Sequence, residues 1–308
     1  MTKEKYIIGT RGSQLALYQA NKVKEILEEK YPELTIDLKI IKTKGDKILD
    51  VALSKIGDKG LFTKELEVAM LNDEADLVVH SLKDMPTELP EGFQLTAVLE
   101  RGNYKDALVS KNGKKLSELT ADDVIATSSL RRKSGLLKIN PNFQIVDIRG
   151  NVNTRLQKME DGHCDAMIMA AAGLERLGLE HHITEILEPE VMIPAVSQGV
   201  IGIETRIDTP EVNELVASIN DEATWQTILG ERAYMKALNG GCQVPVGCYS
   251  KVNDNEITLI GFVSSTDAKQ YLTTSVSGDI KNAEKLGVEL ADKLIAEGAT
   301  EILDEIRG

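Results

Sequence analysis

The chain has 308 residues, of which 42% are hydrophobic, 28% charged and 4% aromatic. That is the balance of an ordinary soluble globular protein packed mainly with aliphatic side chains, and the length exceeds what one hydrophobic core normally fills, so two or three domains are expected. A net charge of -13 argues against a nucleic-acid partner, which needs a clustered basic surface, but leaves room for a local knot of arginines around a small anion.

The opening run Met1-Thr2-Lys3-Glu4-Lys5-Tyr6 contains no apolar signal core. The longest near-apolar stretch, Ala166 to Leu174, is far too short to cross a bilayer. A cytoplasmic protein without membrane contact is therefore expected. Cys164, Cys242 and Cys248 are odd in number and lack a metal-binding spacing. Neither a disulfide framework nor a metal site is expected from them.

Tyr6-Ile7-Ile8 reads as the first strand, and Ala16, Ala20, Val23 and Leu27 recur at helical spacing directly after it. The junction between them is Thr10-Arg11-Gly12-Ser13. A strand follows over Thr35 to Ile41. Lys42 to Gly60, with Gly45, Gly57 and several lysines, shows little periodicity and reads as a lid. A helix is predicted around Phe62 to Leu71 and a strand over Asp76 to Val79.

The same alternation continues with strand Val124 to Ala126 and a helix after Ser129, then strand Phe143 to Ile148 and helix Asn151 to Glu160. Strand Ala166 to Met169 and helix Ala171 to Leu177 come next. This predicts an α/β architecture with largely parallel sheets, arranged as two similar lobes. Turn residues near 100–105 and at Ile193-Pro194-Ala195 mark expected crossings between the lobes. After Trp225 the pattern changes to a helix, strands near Val244 to Val252, Glu256 to Val263 and Gln270 to Val276, and a helix over Asn282 to Ala296. That reads as a separate α+β domain.

Three strand-to-helix junctions carry hydroxyls or arginines: Thr10-Arg11-Gly12-Ser13, Thr127-Ser128-Ser129-Leu130-Arg131-Arg132, and Arg149-Gly150-Asn151-Val152-Asn153-Thr154-Arg155. Backbone N–H groups and the positive end of a helix favour anions there, and arginine adds a bidentate carboxylate contact. Five of the ten arginines in the chain sit in these segments, and Arg176 lies one helix further on. Taken singly, each junction is equally well read as a helix cap beside a surface ion pair. Their concentration favours a bound anion.

His80-Ser81-Leu82-Lys83-Asp84-Met85-Pro86 emerges from the apolar run Leu77-Val78-Val79, where open α/β sheets place ligands. Asp84 is the catalytic candidate, able to stabilise a cation and move a proton; a turn aspartate before Pro86 is the competing reading. Cys242 follows two glycines and precedes Gln243-Val244-Pro245, a loop able to expose a thiol beside a bulky adduct. From the local residues alone a structural thiol is as good a reading. Cys164 and Cys248 lie in strand-like contexts and read as packed small hydrophobes. His181 and His182 are adjacent, share no helical face and read as a solvated helix end.

Together these segments resemble the porphobilinogen deaminase family along essentially the whole chain. The resemblance rests on Gly9-Thr10-Arg11, Lys44-Gly45-Asp46, Lys59-Gly60-Leu61-Phe62, His80-Ser81-Leu82-Lys83-Asp84, Ser129-Leu130-Arg131-Arg132, Arg149-Gly150-Asn151-Val152, Gln198-Gly199 and Gly240-Gly241-Cys242-Gln243-Val244-Pro245, in the family's order. Asn239 and Ser197 depart from the commoner residues at their positions.

The resemblance implies two lobes like those of periplasmic binding proteins plus a smaller α+β C-terminal domain carrying the cofactor loop. The implied divisions are 1–99 with 200–217, 105–193, and 222–308. The implied activity is hydroxymethylbilane synthase: four porphobilinogen molecules are condensed head to tail with release of ammonia, and the linear tetrapyrrole is then hydrolysed off. A dipyrromethane cofactor is implied on Cys242 as a thioether. Asp84 is implied as the catalytic residue. Lys83, Thr127, Ser129, Arg131, Arg132 and Arg155 would hold the cofactor, and Arg11, Ser13, Ser81, Arg149, Arg176 and Gln198 the substrate. Lys55, Lys59 and Phe62 would belong to the lid or its edge. A monomer is implied.

Two other classes of function stay open on sequence grounds. A two-lobed protein that binds a small anion without catalysis has the same fold pattern. A cysteine acyl-transferase or hydrolase would require Cys242 in contact with His80.

Overall fold

The structure, a computed structural model, describes residues 4–47, 60–241 and 243–308. The first elements are β1 (Lys5–Thr10), α1 (Gln14–Lys30), β2 (Thr35–Ile40), the single turn α2 (Lys44–Lys47) and α3 (Lys64–Leu71). β3 (Leu77–Ser81) and β4 (Phe93–Val98) follow. The middle of the chain forms β5 (Asp106–Ser110), β6 (Val124–Ala126), α4 (Leu130–Ile139), β7 (Gln144–Val146) and α5 (Val152–Glu160). It continues with β8 (Ala166–Ala170), α6 (Ala171–Glu175) and β9 (Glu185–Leu187). Next come β10 (Ile201–Arg206), α7 (Pro210–Ala217) and α8 (Glu222–Ala237). The last elements are β11 (Val246–Asn253), β12 (Glu256–Ser264), β13 (Tyr271–Asp279), α9 (Ala283–Ala296) and α10 (Ala299–Arg307).

The described residues fall into two compact units, one drawn from 4–47, 60–102 and 200–225, the other from 103–199, 226–241 and 243–308. The first unit is built on a five-stranded sheet of order β2-β1-β3-β10-β4. β1 is parallel to β2 and β3, while β10 runs antiparallel to both of its neighbours. Tyr6, Ile8, Leu77, Val79 and Ile203 supply buried apolar groups to its core. α1 closes one face through Ala16, Ala20, Val23 and Leu27, the spacing that makes an amphipathic helix.

The second unit repeats the plan in a sheet of order β7-β6-β8-β5-β9. β6 is parallel to β7 and β8, and β5 is antiparallel to β8 and β9. In each of these sheets four of the five described strands run the same way and one, β10 or β5, runs against them, so the expected largely parallel arrangement holds with one reversed strand per sheet. β5 and β10 are buried runs whose apolar residues read alike in either direction, so their own pattern does not encode their sense.

The same unit contains an antiparallel three-stranded sheet, β11-β12-β13, covered by α9 and α10. Tyr234, Leu259, Leu290 and Leu294 lie in its core. α8 and α9 approach closely: a Cβ on Gly287 would stand 2.1 Å from the Gly230 carbonyl oxygen. Pro194 is tied to β11, its carbonyl accepting from Cys248 N at 3.2 Å, and Ile193 packs with Tyr249 and Phe262. These contacts explain why 193–199 belongs with the second unit, whose sequence boundary falls after Gly199.

Candidate functional site

In the first unit the end of β1 turns into α1 through Ser13, whose side chain accepts from Ala16 N at 3.2 Å. Arg11 lies over the Phe62 ring, 4.1 Å from its centroid, and its Nε donates to Asp46 at 3.1 Å. Burial alone would push the Asp46 carboxyl up, but its bonds to Arg11 and Thr43 outweigh burial and hold it below the usual range. β3 ends at Ser81 and passes into a single 3-10 turn, Leu82–Asp84. Ser81 Oγ accepts from Gln19 Nε2 at 2.8 Å.

One pocket of the first unit is lined by Arg11, Ser13, Gln19, Phe62, Ser81 and Asp84, together with Thr63 and His80. The structure thus brings together four sequence-expected site residues, Arg11, Ser13, Ser81 and Asp84. Phe62 lines the same pocket. Lys83 stands in the same 3-10 turn as Asp84.

In the second unit Thr127 ends at 3% exposure beside β6, and Ser129 caps α4 by accepting from Arg132 N at 3.4 Å. Arg131 and Arg132 are buried, and both reach inward to Asp106. Arg131 Nη1 donates to Asp106 Oδ2 at 2.7 Å and to the Ile193 carbonyl at 2.7 Å. Arg132 Nη2 donates to Asp106 Oδ1 at 2.8 Å, and Gln198 Nε2 donates to the same oxygen at 2.9 Å. Burial pushes the Asp106 carboxyl up, yet the two guanidiniums prevail and hold it far below the ordinary carboxylate range. Three residues expected to meet a ligand therefore converge on an internal carboxylate.

Asn151 caps α5, accepting from Thr154 N at 3.0 Å. Gly150 has φ 118°, and a Cβ there would lie 2.8 Å from the Thr154 side chain, so this turn requires glycine. Arg155 Nε donates to the Gly150 carbonyl at 2.8 Å, and Arg176 Nη2 to the Gly199 carbonyl at 2.6 Å. Arg149 is half-buried, and burial draws its guanidinium downward in proton affinity.

A pattern of charge runs through these junctions. α1, α4, α5 and α6 follow strand ends and carry no acid in their first turns. α3, α7, α8, α9 and α10 all do. Acids normally complement a helix N-terminus, so in a chain of net charge -13 their omission keeps these ends compatible with a bound anion.

Cys242, Lys55 and Lys59 lie outside the described residues. Cys164 and Cys248 are buried, as expected, and burial followed by the neighbouring Asp165 pushes the Cys164 thiol up to about 11. The His181 and His182 rings lie 4.2 Å apart at a short 3-10 turn. Among the described residues no group of three or more His, Cys, Asp or Glu could hold a metal. No described helix is long and apolar enough to cross a membrane.

Sequence reading missed Asp46, Gln19, Asp106 and Glu204 as partners of site residues. Gln19 and Glu204 each carried a signal, a polar group at a position whose neighbours mark a buried face. Asp106 had a similar one, an acid heading the apolar run Ala107-Leu108-Val109. His80 pairs through Nε2 with Glu204 at 2.8 Å.

The class so defined is an α/β protein of paired sheets whose hydroxyls, arginines and one turn carboxylate collect at strand ends, suited to an anionic ligand. The chain belongs to the porphobilinogen deaminase family. Residues 6–214 match "Porphobilinogen deaminase, dipyromethane cofactor binding domain", and residues 225–296 match "Porphobilinogen deaminase, C-terminal domain".

The porphobilinogen deaminase of Chlorobium phaeobacteroides is 48% identical over 309 residues, covering 99% of this chain and 99% of that protein. The one from Geobacter metallireducens is 47% identical over 306 residues, covering 99% and 96%. Among solved structures, the BvgS periplasmic VFT2 domain of Bordetella pertussis aligns with a TM-score of 0.43 at 11% identity, covering 70% of this chain and 86% of that one. Substrate binding domain 2 of Lactococcus lactis GlnP, in an open conformation, aligns with a TM-score of 0.42 at 10% identity, covering 78% and 92%. As a family member the chain is a transferase of porphyrin and heme biosynthesis with a dipyrromethane cofactor-binding domain.

Proposed function

We propose that this chain is a hydroxymethylbilane synthase whose condensation site is the strand-end pocket of the first unit. Porphobilinogen molecules are joined head to tail with loss of ammonia, and water then releases the linear tetrapyrrole. The observation that carries the site is the convergence of Arg11, Ser13, Ser81 and Asp84 on one pocket.

Each porphobilinogen carries an acetate and a propionate. Arg11, braced by Asp46 and Phe62, offers such a carboxylate a guanidinium of fixed orientation. Ser13 and the N-terminal end of α1 add donors and dipole charge. Ser81, held by Gln19, adds a hydroxyl. Asp84 is the acid in the pocket lining. It stabilises positive charge on pyrrole nitrogen as ammonia departs and takes the proton from the attacking ring carbon.

When bound, the dipyrromethane supplies the ring carbon at which growth of the chain begins. The residues present fit it: α4 and α5 begin without acids, and Thr127 and Ser129 stand at the start of α4. We assign Cys242 as its thioether anchor and Lys83, Thr127, Ser129, Arg131, Arg132 and Arg155 as its holders. With Asp106 between them, Arg131 and Arg132 contribute one net positive charge rather than two. Arg149, Arg176 and Gln198 are assigned to substrate carboxylates.

The functional divisions we adopt are 1–99 with 200–217, 105–193, and 222–308. We place the protein in the cytosol as a monomer without a nucleic-acid partner. Incubating purified protein with porphobilinogen tests the activity: ammonia released in step with substrate lost, and a linear tetrapyrrole detected by mass spectrometry, are expected. Binding without ammonia release would instead favour a non-catalytic anion-binding protein.

A further inference from the structure

The first-unit pocket borders a group of buried acids that the reaction described so far does not use. Glu204 on β10 is fully buried, Glu67 on α3 is 7% exposed, and His80, at 6%, joins Glu204 at 2.8 Å. Gly202 pairs with His80 and Glu204 with Val78 across antiparallel β3 and β10. Strand alternation therefore puts His80, Val78 and Glu204 on one face of the sheet, with His80 and Glu204 as diagonal neighbours. α3 covers that face, Leu66, Ala69 and Met70 clustering with Val78.

Among the described residues, Glu67 Oε1 and Glu204 Oε1 are buried without a hydrogen-bond partner. Such oxygens are costly unless a proton or partner relieves them. Thr63 and His80 line the same pocket as Asp84, and His80 directly precedes Ser81 on β3. The charged and titratable groups acting on Glu67 are Glu204 from β10, His80 from β3 and Lys64 from its own helix. β4 sets Leu95 opposite Glu204, and α1 gives the pocket Gln19.

We propose that Glu67, Glu204 and His80 are positioning residues for the condensation: a buried cluster, complete only while Glu67 is uncharged, that fixes the end of β3 and so the Ser81–Asp84 turn. Two carboxylates acting on one another in a buried region repel unless one carries a proton, and the acid form makes Glu67 a donor rather than a second acceptor. Burial, aided by the charge of Glu204, outweighs an opposing hydrogen bond from Thr63 and holds the Glu67 carboxyl above its ordinary 4.5. The folded chain therefore keeps a proton that the unfolded chain gives up. The stability tied to that proton is full below 4.5 and is lost as pH rises through the raised value.

The inference deepens the proposed function and rests on the Ser81–Asp84 turn being the reacting site. The test is to assay the holoenzyme across pH with porphobilinogen, and to follow its melting, for wild type, Glu67→Gln and Glu67→Ala. Glu67→Gln, which fixes the uncharged form, is expected to move the alkaline limbs of kcat and of melting to higher pH. Glu67→Ala is expected to lower kcat about tenfold with KM within about twofold, the scale of partners that orient an active group.

Alkaline limbs that coincide in wild type and Glu67→Gln overturn the proposal, as does a Glu67→Ala effect confined to KM. If neither variant folds, infrared titration of the wild-type holoenzyme decides. A protonated-carboxyl stretch that persists above pH 4.5 supports the cluster, and its absence there overturns it. The infrared and melting arms read the cluster independently of Asp84, so normal turnover by an Asp84 variant would fail the reading of Asp84 alone.

Discussion

Asp106 Oδ2 stands 2.7 Å from Arg131 Nη1 with both side chains buried, and the same carboxylate also carries Arg132. One acid thus orders two guanidiniums from consecutive positions of α4. It also joins them to Gln198, whose Nε2 donates to Asp106 Oδ1.

Removing that acid leaves two cations buried without their counter-charge. Asp106→Ala should cost about 3–5 kcal/mol of stability, the range for breaking a buried pair by deleting one partner. Denaturant unfolding of the purified variant measures it, and a loss below about 1 kcal/mol would show that the hub is dispensable. Because the folded Asp106 sits far below its ordinary 3.8, its contribution is present above 3.8 and fades only as pH falls well beneath it. Wild-type melting should accordingly show no loss from this group near neutral pH.

Cys242→Ser should lose the dipyrromethane adduct. Intact-mass measurement of the purified wild-type chain is expected to exceed the sequence mass by the two-ring group, and the variant to match its own sequence mass. An unmodified wild-type chain that still consumes porphobilinogen would remove Cys242 from its assigned role.

Asp84→Ala should retain substrate binding while kcat falls about 10²- to 10⁴-fold, the usual contribution of a positioned proton-transfer group. Steady-state kinetics paired with equilibrium binding separates the two effects. Near-normal turnover would leave Asp84 as the turn residue that its place before Pro86 also allows.

Arg149→Ala should stall elongation or cofactor assembly, visible by mass spectrometry as chains trapped with incomplete pyrrole additions or with none. Normal activity together with a normal adduct would count against a carboxylate contact at this position. Folding should be preserved, since the turn beside it is set by Gly150 and the Asn151 cap.

Much of the scaffold was legible because periodicity and caps are local properties. The strand at Val124 to Ala126 was read at the bounds it adopts, and Ser13, Ser129 and Asn151 stand as N-caps at the three junctions singled out by their residues. β4, β5, β9, β10, α2, α7 and α10 are not individually predicted from the sequence. The antiparallel sense of β5 and β10 is invisible in the sequence because it depends on which strands the chain's path sets beside them, not on their own residues.

The sequence by itself determined the order of the alternating elements, the absence of acids from the first turns of α1, α4, α5 and α6, and, through its motifs, the resemblance to the family. Tertiary structure decided which charges meet. Asp106 reaches Arg131 across 25 positions and Glu204 reaches His80 across 124. Helix and strand signals arise from residues a few positions apart, whereas the partner of a buried charge depends on which strands the chain's path sets side by side.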